Sequence, residues 1–244
     1  MTNKVFFAQP WGGLGDNLQY TTLPKLFSEK GIDFFLSQSN TYRNSEIYDF
    51  CWAKNPYVKG ISNHVANIGA CAPDNPKGVA DNVVSAAEMR HGFSGFGRYP
   101  EIYYDAKTLN QYKDKTIVDL SAHTLLKNHV GEFYDADKLF SLVEEHIPSD
   151  SLFVSLKNVN NLSLSGGFSF EENELEVENI FDYANIINSA KSYFCLYSGG
   201  NSMAAAVKNK EQSDVEINCF LHGTVQEHKD REFFIFDNVN YIEV

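Results

Sequence analysis

What this sequence has little of narrows its functional class first. Its four cysteines (Cys51, Cys71, Cys195, Cys219) are scattered, with no Cys-x-x-Cys pair among them. That spacing argues against a zinc site, and thiols this sparse suit a reducing cytosol, so a cytoplasmic location is expected. No apolar run approaches the ~20 residues that span a bilayer, and no membrane span is expected. Val5-Phe6-Phe7-Ala8 is far too short to be the hydrophobic segment of a signal peptide. Basic residues are scarce too: 20 Lys and Arg stand against 32 Asp and Glu, a formal charge of −12. A nucleic-acid binder carries a basic face, and no Lys/Arg cluster is visible, so a nucleic-acid partner is not expected. The same acidity also serves plain solubility. There is no Gly-x-Ser-x-Gly elbow, no metal-ligand spacing among the histidines, no short-period repeat and no low-complexity tract.

What is present is apolar bulk. Hydrophobic residues make up 43% of the 244, and 19 Phe and 13 Tyr supply enough large apolar surface for a packed core. The length fits one large domain or two lobes of roughly 110 to 130 residues. Residues 4–9 read as a buried strand, followed by a glycine loop and a helix from about Asn17 with Gly31 as its C′ residue. Residues 32–36 are the next strand, 45–52 a helix and 58–61 a short extended piece. This β-loop-α-β order is the signature of a parallel sheet covered by helices. Residues 62–100, with Pro73, Pro76 and several glycines, read as loop-rich, and the polar run 110–115 reads as a hinge. A second series follows: strand 116–120, helix 136–146, strand 152–156, helix 178–191, strand 193–197, helix 201–208 and strand 216–221. The Glu-rich run 171–178 reads as solvated loop and helix start. The expected organisation is an amino-terminal lobe, 1–111, and a carboxy-terminal lobe, 112–244.

The first loop, Pro10-Trp11-Gly12-Gly13-Leu14-Gly15-Asp16, lets backbone approach a ligand closely, with a helix N-terminus behind it. Leu18 stands where a dinucleotide fingerprint needs its third glycine, and no Gly-Lys-Ser/Thr follows, so a P-loop is excluded. A carboxylate here is a poor phosphate partner and is better placed to accept a proton. Taken alone, Asp16 reads first as the N-cap of the helix at Asn17 and only then as a catalytic group.

The run Gly12-Gly13-Leu14-Gly15-Asp16-Asn17-Leu18-Gln19-Tyr20-Thr21-Thr22-Leu23-Pro24 resembles the opening motif of heptosyltransferase-like glycosyltransferases (family 9-like, GT-B). There a first strand leads to Gly-Asp and then to Thr-x-Pro inside the first helix, which accounts for an otherwise awkward internal Pro24. Asn55-Pro56-Tyr57-Val58 is similar to a second short segment of that family. Ser198-Gly199-Gly200-Asn201-Ser202-Met203-Ala204-Ala205-Ala206, following a buried strand, resembles the loop that receives the donor phosphates. Physically this is a strand feeding small residues into a helix N-terminus, which suits a diphosphate and equally suits a tight turn with close helix packing.

The resemblance implies an α/β, GT-B-like fold of two Rossmann-like lobes, with parallel sheets facing a central cleft. It implies inverting, metal-independent transfer of a sugar from a nucleoside-diphosphate sugar to an acceptor hydroxyl. Asp16 is then the catalytic base, and the donor is bound by Gly13, Gly15, Lys127, Ser198, Gly199, Gly200, Asn201 and Ser202, with no cofactor beyond the donor substrate. Lys127 neutralises the leaving diphosphate in this reading, with His123 a weaker candidate; a solvated loop Lys and His is the ordinary alternative. The family usually has Asp before the Ser and His within the helix, where this chain has Tyr197 and Ser202. That departure favours one alternative, a non-catalytic nucleotide- or sugar-binding module; another is a related enzyme on the same scaffold, a sugar-nucleotide epimerase, which needs no acceptor. Asp135-Ala136-Asp137 matches a metal-binding Asp-x-Asp but sits at a helix start, where capping explains it. Residues 92–99 with Arg90, His91 and Arg98 read either as an acceptor-binding loop or as an ordinary loop pinned by its aromatics.

Overall fold

The structure is a computed structural model that describes residues 3–70, 80–122, 136–157, 162–163, 173–230 and 234–244. The chain divides into two compact units, Met1–Tyr104 with Lys229–Ile235, and Asp105–His228 with Phe236–Val244. No helix among the described residues is long and apolar enough to cross a membrane.

In the first unit, β1 (Asn3–Ala8), β2 (Ile32–Ser37), β3 (Val58–Ser62) and β4 (Ile68–Gly69) form a parallel sheet in the order β3-β2-β1-β4. Its helices are α1 (Leu14–Leu18), α2 (Leu23–Glu29), α3 (Ser45–Tyr48) and α4 (Val83–Arg90), and α3 runs on as a π-helical turn, Asp49–Ala53. Aromatic residues make the core. The Phe7 ring lies 4.9, 5.8 and 6.0 Å from those of Tyr20, Phe34 and Trp52. The strand order reverses between β1 and β4. In sheets of this kind ligands bind beyond the carboxyl ends of the strands at such a reversal.

The helix expected from Asn17 to Gly31 is two helices, because the chain turns between Leu18 and Leu23. Pro24 consequently falls in the first turn of α2, where its missing N–H costs no hydrogen bond. Gly31 takes φ +70°, the left-handed conformation that ends a helix readily only at glycine. Part of the stretch expected to be loop-rich, 71–79 with Pro73 and Pro76, lies outside the described residues, and residues 80–100 hold more order than their glycines suggest. The Asn82 side chain accepts from Val84 N–H and Ser85 N–H at 2.8 and 3.0 Å and starts α4. Most of α4 is buried, from Val83 through Glu88, so it carries no polar stripe for the eye to find.

The second unit contains β5 (Thr116–Asp119), β6 (Ser121–Ala122), α5 (Ala136–His146), β7 (Leu152–Leu156), β8 (Leu162–Ser163) and β9 (Glu174–Val177). These are followed by α6 (Ile180–Ser189), β10 (Ser192–Leu196), α7 (Gly199–Glu211), β11 (Glu216–Leu221), α8 (Val225–Asp230) and β12 (Asn240–Glu243). Six strands pair in parallel in the order β12-β11-β10-β5-β7-β9, and β6 with β8 forms a small antiparallel pair. Counted within the unit this is the doubly wound order of nucleotide-binding sheets, with its reversal between β5 and β10. Leu139 and Val143 of α5 and Ile147 just beyond its end, spaced by four, pack on Val118, Phe153, Phe194, Leu196 and Phe220 from one face of the sheet.

The acidic run 171–178 contains an edge strand, not only loop. Glu174 and Glu176 point outward while Val177 is buried, and Phe153 to Leu156 pair with Glu174 to Val177. Charged residues on an edge discourage pairing with other chains. The start of the unit is stitched down by side chains. Ala106 N–H donates to Glu211, Lys107 N–H to Asn185 and Leu109 N–H to Ser189, at 2.9, 2.8 and 2.7 Å. The polar run 110–115, expected as a hinge, holds the 3-10 turn Asn110–Tyr112 and leads directly into β5.

Candidate active site

The loop after β1 runs beside the segment that follows β2. Gln9 N–H donates to the Asn40 side chain at 2.9 Å, the Gln9 amide donates to Thr41 O at 3.1 Å, and Arg43 N–H donates to Gly12 O at 2.8 Å. The approach leaves no room at Gly12, where a Cβ would lie 2.8 Å from Arg43 N and 3.1 Å from the Tyr42 carbonyl carbon. Both obstacles are backbone. Gly12→Ala is therefore expected to destabilise the protein by about 1–3 kcal/mol, read as a lowered urea midpoint. An unchanged midpoint would show that the loop is looser than this packing implies.

Gly13, in extended conformation (φ −68°, ψ 160°), is the N-cap of α1. Asp16 is not the cap, as the ordinary reading had it, but the third helical residue. Its carboxylate folds back to accept from Gly13 N–H at 3.1 Å. That contact occupies the N–H of one residue expected to bind the donor, and the other, Gly15, is buried inside α1. Neighbouring Asn17 is fully buried; its amide donates to Gly13 O at 2.9 Å, and its Oδ1 accepts from Trp52 Nε1–H at 2.9 Å. The turn carrying Asp16 is thereby tied to the core. Asp16 itself is half-buried, beyond the carboxyl end of β1, where the sheet order reverses. Burial raises its pKa, with the Gly13 N–H and the charge of Arg43 pulling the other way. A carboxylate with strengthened proton affinity suits a general base.

The corresponding reversal in the second unit lies between β5 and β10, and the turn at residues 198–200 follows β10. Ser198 caps α7, its hydroxyl accepting from Gly200 N–H at 3.2 Å. Ser198, Gly199 and Gly200 are half-buried, whereas Asn201 and Ser202 are fully buried. The side chains of these last two thus face the interior, and the hydroxyl of Ser202 does not reach the surface as the donor-binding reading supposed. What the turn offers an anion is the N-terminal end of a 13-residue helix. Lys127 and His123 lie outside the described residues, as does Asp135.

Beneath the turn lies a group that motif reading passed over. Asp119, the last residue of β5, is 7% exposed. One carboxylate oxygen accepts from the N–H of Ser121 at 2.9 Å and from its hydroxyl; the other accepts from the Tyr183 hydroxyl. Tyr183 is in turn 2.6 Å from the Tyr193 hydroxyl. A Cβ on Gly200 would meet that hydroxyl at 2.9 Å and Asp119 Oδ2 at 3.7 Å, so the helix start rests on the network with nothing between. Burial raises the Asp119 pKa against the hydrogen bonds that lower it. In sequence the only signal is an acid at the end of an apolar strand. To one side, the Tyr197 ring stands 5.6 and 4.7 Å from those of His222 and His228.

The remaining candidates are placed simply. His91 Nδ1 is 2.7 Å from Ala87 O, and burial lowers its pKa. The 92–97 loop is pinned: Gly97 N–H donates to Glu88 at 2.8 Å, Phe93 packs edge-on against Phe27, and Lys30 lies 4.1 Å above the Phe93 ring. Asp137 lies in the first turn of α5. Among the described residues no three His, Cys, Asp or Glu side chains converge as a metal site requires.

No model of a known protein family matches the sequence, and neither does any curated protein. Solved structures do. The iron-containing dodecameric heptosyltransferase TibC, in complex with ADP-D-beta-D-heptose, superposes with a TM-score of 0.66 at 11% identity, covering 99% of this chain. A structure of TibC from enterotoxigenic E. coli H10407 gives 0.58 at 10% identity. E. coli heptosyltransferase WaaC with ADP gives 0.51 at 12% identity, over 99% of this chain and 91% of WaaC. A family 9 glycosyl transferase from Veillonella parvula DSM 2008 gives 0.54 at 7% identity, over 100% of this chain and 86% of that one. The chain spans 58% and 62% of the two TibC chains. The fold of this chain is thus that of the GT-B-like glycosyltransferases, as the sequence led one to expect.

Proposed function

We propose that the chain transfers a sugar, with inversion, from a nucleoside-diphosphate sugar to an acceptor hydroxyl. The observation that carries this reading is Asp16, a half-buried carboxylate of raised proton affinity at the strand-order reversal of a heptosyltransferase-like fold. Asp16 takes the proton of the acceptor hydroxyl as that oxygen attacks the anomeric carbon. The turn at residues 198–200 receives the departing diphosphate on the α7 N-terminus, and Lys127 supplies positive charge to it. In this reading no metal takes a step, although the neighbour TibC is iron-containing. The ADP and ADP-heptose of the structural neighbours make adenine nucleotides the first donors to try.

A thermal-shift series with ADP, UDP, GDP and their sugars tests the reading, because a ligand of the folded state raises its apparent stability. At a hundredfold excess over Kd the gain is about 2.7 kcal/mol, several degrees for a chain of this size. No shift with any of them would remove the donor site. A non-catalytic binding module is the second reading, favoured by Tyr197 and Ser202, both buried where the family has Asp and His. Binding without turnover over a panel of acceptors would decide for it.

A further inference from the structure

We propose that Asp119 is the proton acceptor of the donor pocket, taking up a proton from solvent when a nucleoside diphosphate seats on the turn at residues 198–200. The inference rests on the donor-site reading above and deepens it. Three observations carry it. Asp119 closes β5 and the turn follows β10, so both stand at the same strand-order reversal. The carboxylate is buried and reaches to 3.7 Å from the position of a Gly200 Cβ, directly behind the backbone that would meet the anion. The groups around it are hydroxyls and thiols. Ser121 of β6 and Tyr183 of α6 donate to it, with Tyr193 and Cys195 of β10 behind them and Cys219 of β11 beyond Cys195. Among the described residues none of the influences on its acidity is a cation. A diphosphate arriving at this wall faces a like charge in a poorly screened setting, and protonating the carboxylate removes the repulsion.

The sign follows. Burial already holds the Asp119 pKa above its ordinary value, and a bound anion raises it further. Between the free and the liganded pKa, binding takes up as much as one proton, and affinity falls with rising pH by at most tenfold per unit. Asp119→Asn mimics the protonated form. Its affinity is expected to exceed that of the native protein at the alkaline end, which a merely structural role for Asp119 would not produce.

The test is calorimetric titration of the full chain with ADP, UDP and GDP from pH 5.5 to 8.5, in buffers of different ionisation enthalpy. The terminal phosphate of the probe titrates in the same range, at about pH 6, and beside an ionised Asp119 its own pKa shifts as well, so the difference between the two proteins reads the proton held by the carboxylate–phosphate pair. Proton uptake larger in the native protein, with a Kd that weakens against that of Asp119→Asn as pH rises, supports the proposal. Equal uptake with parallel Kd profiles overturns it and leaves the donor site standing. Binding of no nucleotide to either protein overturns both. Should Asp119→Asn not fold, Tyr183→Phe removes one donor to the carboxylate and is expected to move the linkage to higher pH. An unmoved profile counts against the proposal.

Discussion

Asp16→Asn is expected to lower sugar transfer by about 10²- to 10⁴-fold while the fold and donor binding persist. The substitution keeps the size of the side chain, and an amide oxygen can still accept the Gly13 N–H that the carboxylate accepts at 3.1 Å. The cap of α1 therefore survives, and what is lost is the ability to take a proton. Folding stability should not suffer. Burial puts the folded-state pKa of Asp16 above its unfolded value. The stability this group contributes is complete below the unfolded pKa and is lost as pH rises through the folded one. At neutral pH the native carboxylate is thus a small liability, and the amide should match or slightly raise the melting temperature. In the native protein the proposed transfer should show a kcat/KM that rises with pH through the raised pKa, since only the ionised form accepts the proton. The Asn variant should lack that acid limb. Normal turnover by the variant would remove Asp16 from the mechanism.

Trp52→Ala is expected to give the largest loss of stability, about 3–5 kcal/mol, as for other buried aromatics cut to alanine. The indole is fully buried, stacks on Phe34 and lies beside Phe7, so its removal opens a cavity in the aromatic core of the first unit. It also strands the Oδ1 of Asn17, which has the Trp52 Nε1–H as its donor. Trp52→Phe separates the two effects: most of the packing stays, and the unsatisfied acceptor alone costs about 1–3 kcal/mol. Because the Asn17 amide also holds Gly13 O, the Phe variant should loosen the turn that carries Asp16. Its transfer rate should then fall more than its folded fraction. Urea unfolding monitored beside activity reads both quantities, and a Phe variant as stable and as active as the native protein would break this chain of contacts.

Much of the local order was legible in the chain. The strand at 152–156, the helix at 136–146 and the strand at 216–221 appear as read, because each is long enough to show its period and is bounded by turn residues. The elements that escaped were short or lacked an amphipathic pattern. α4 is buried along most of its length, and β9 hides a two-residue alternation among acids. Pro24 was legible as an oddity but not in its resolution, since only the turn before Leu23 shows that the helix has already been interrupted.

The sequence by itself determined two things: a β/α alternation repeated along the chain, and two glycine-bearing turns whose residues resemble those of heptosyltransferase-like enzymes. Both are properties of neighbouring residues, which a linear text preserves. Tertiary structure alone decided which strands lie side by side, and so where each sheet reverses its order. It decided that Asn201 and Ser202 turn inward. It also brought Asp119 to Tyr183, 64 positions away in the chain, and set Asp119 with Tyr193 beneath Gly200. Such partners are chosen by strand pairing and burial, which depend on every other segment at once, and no local pattern records them.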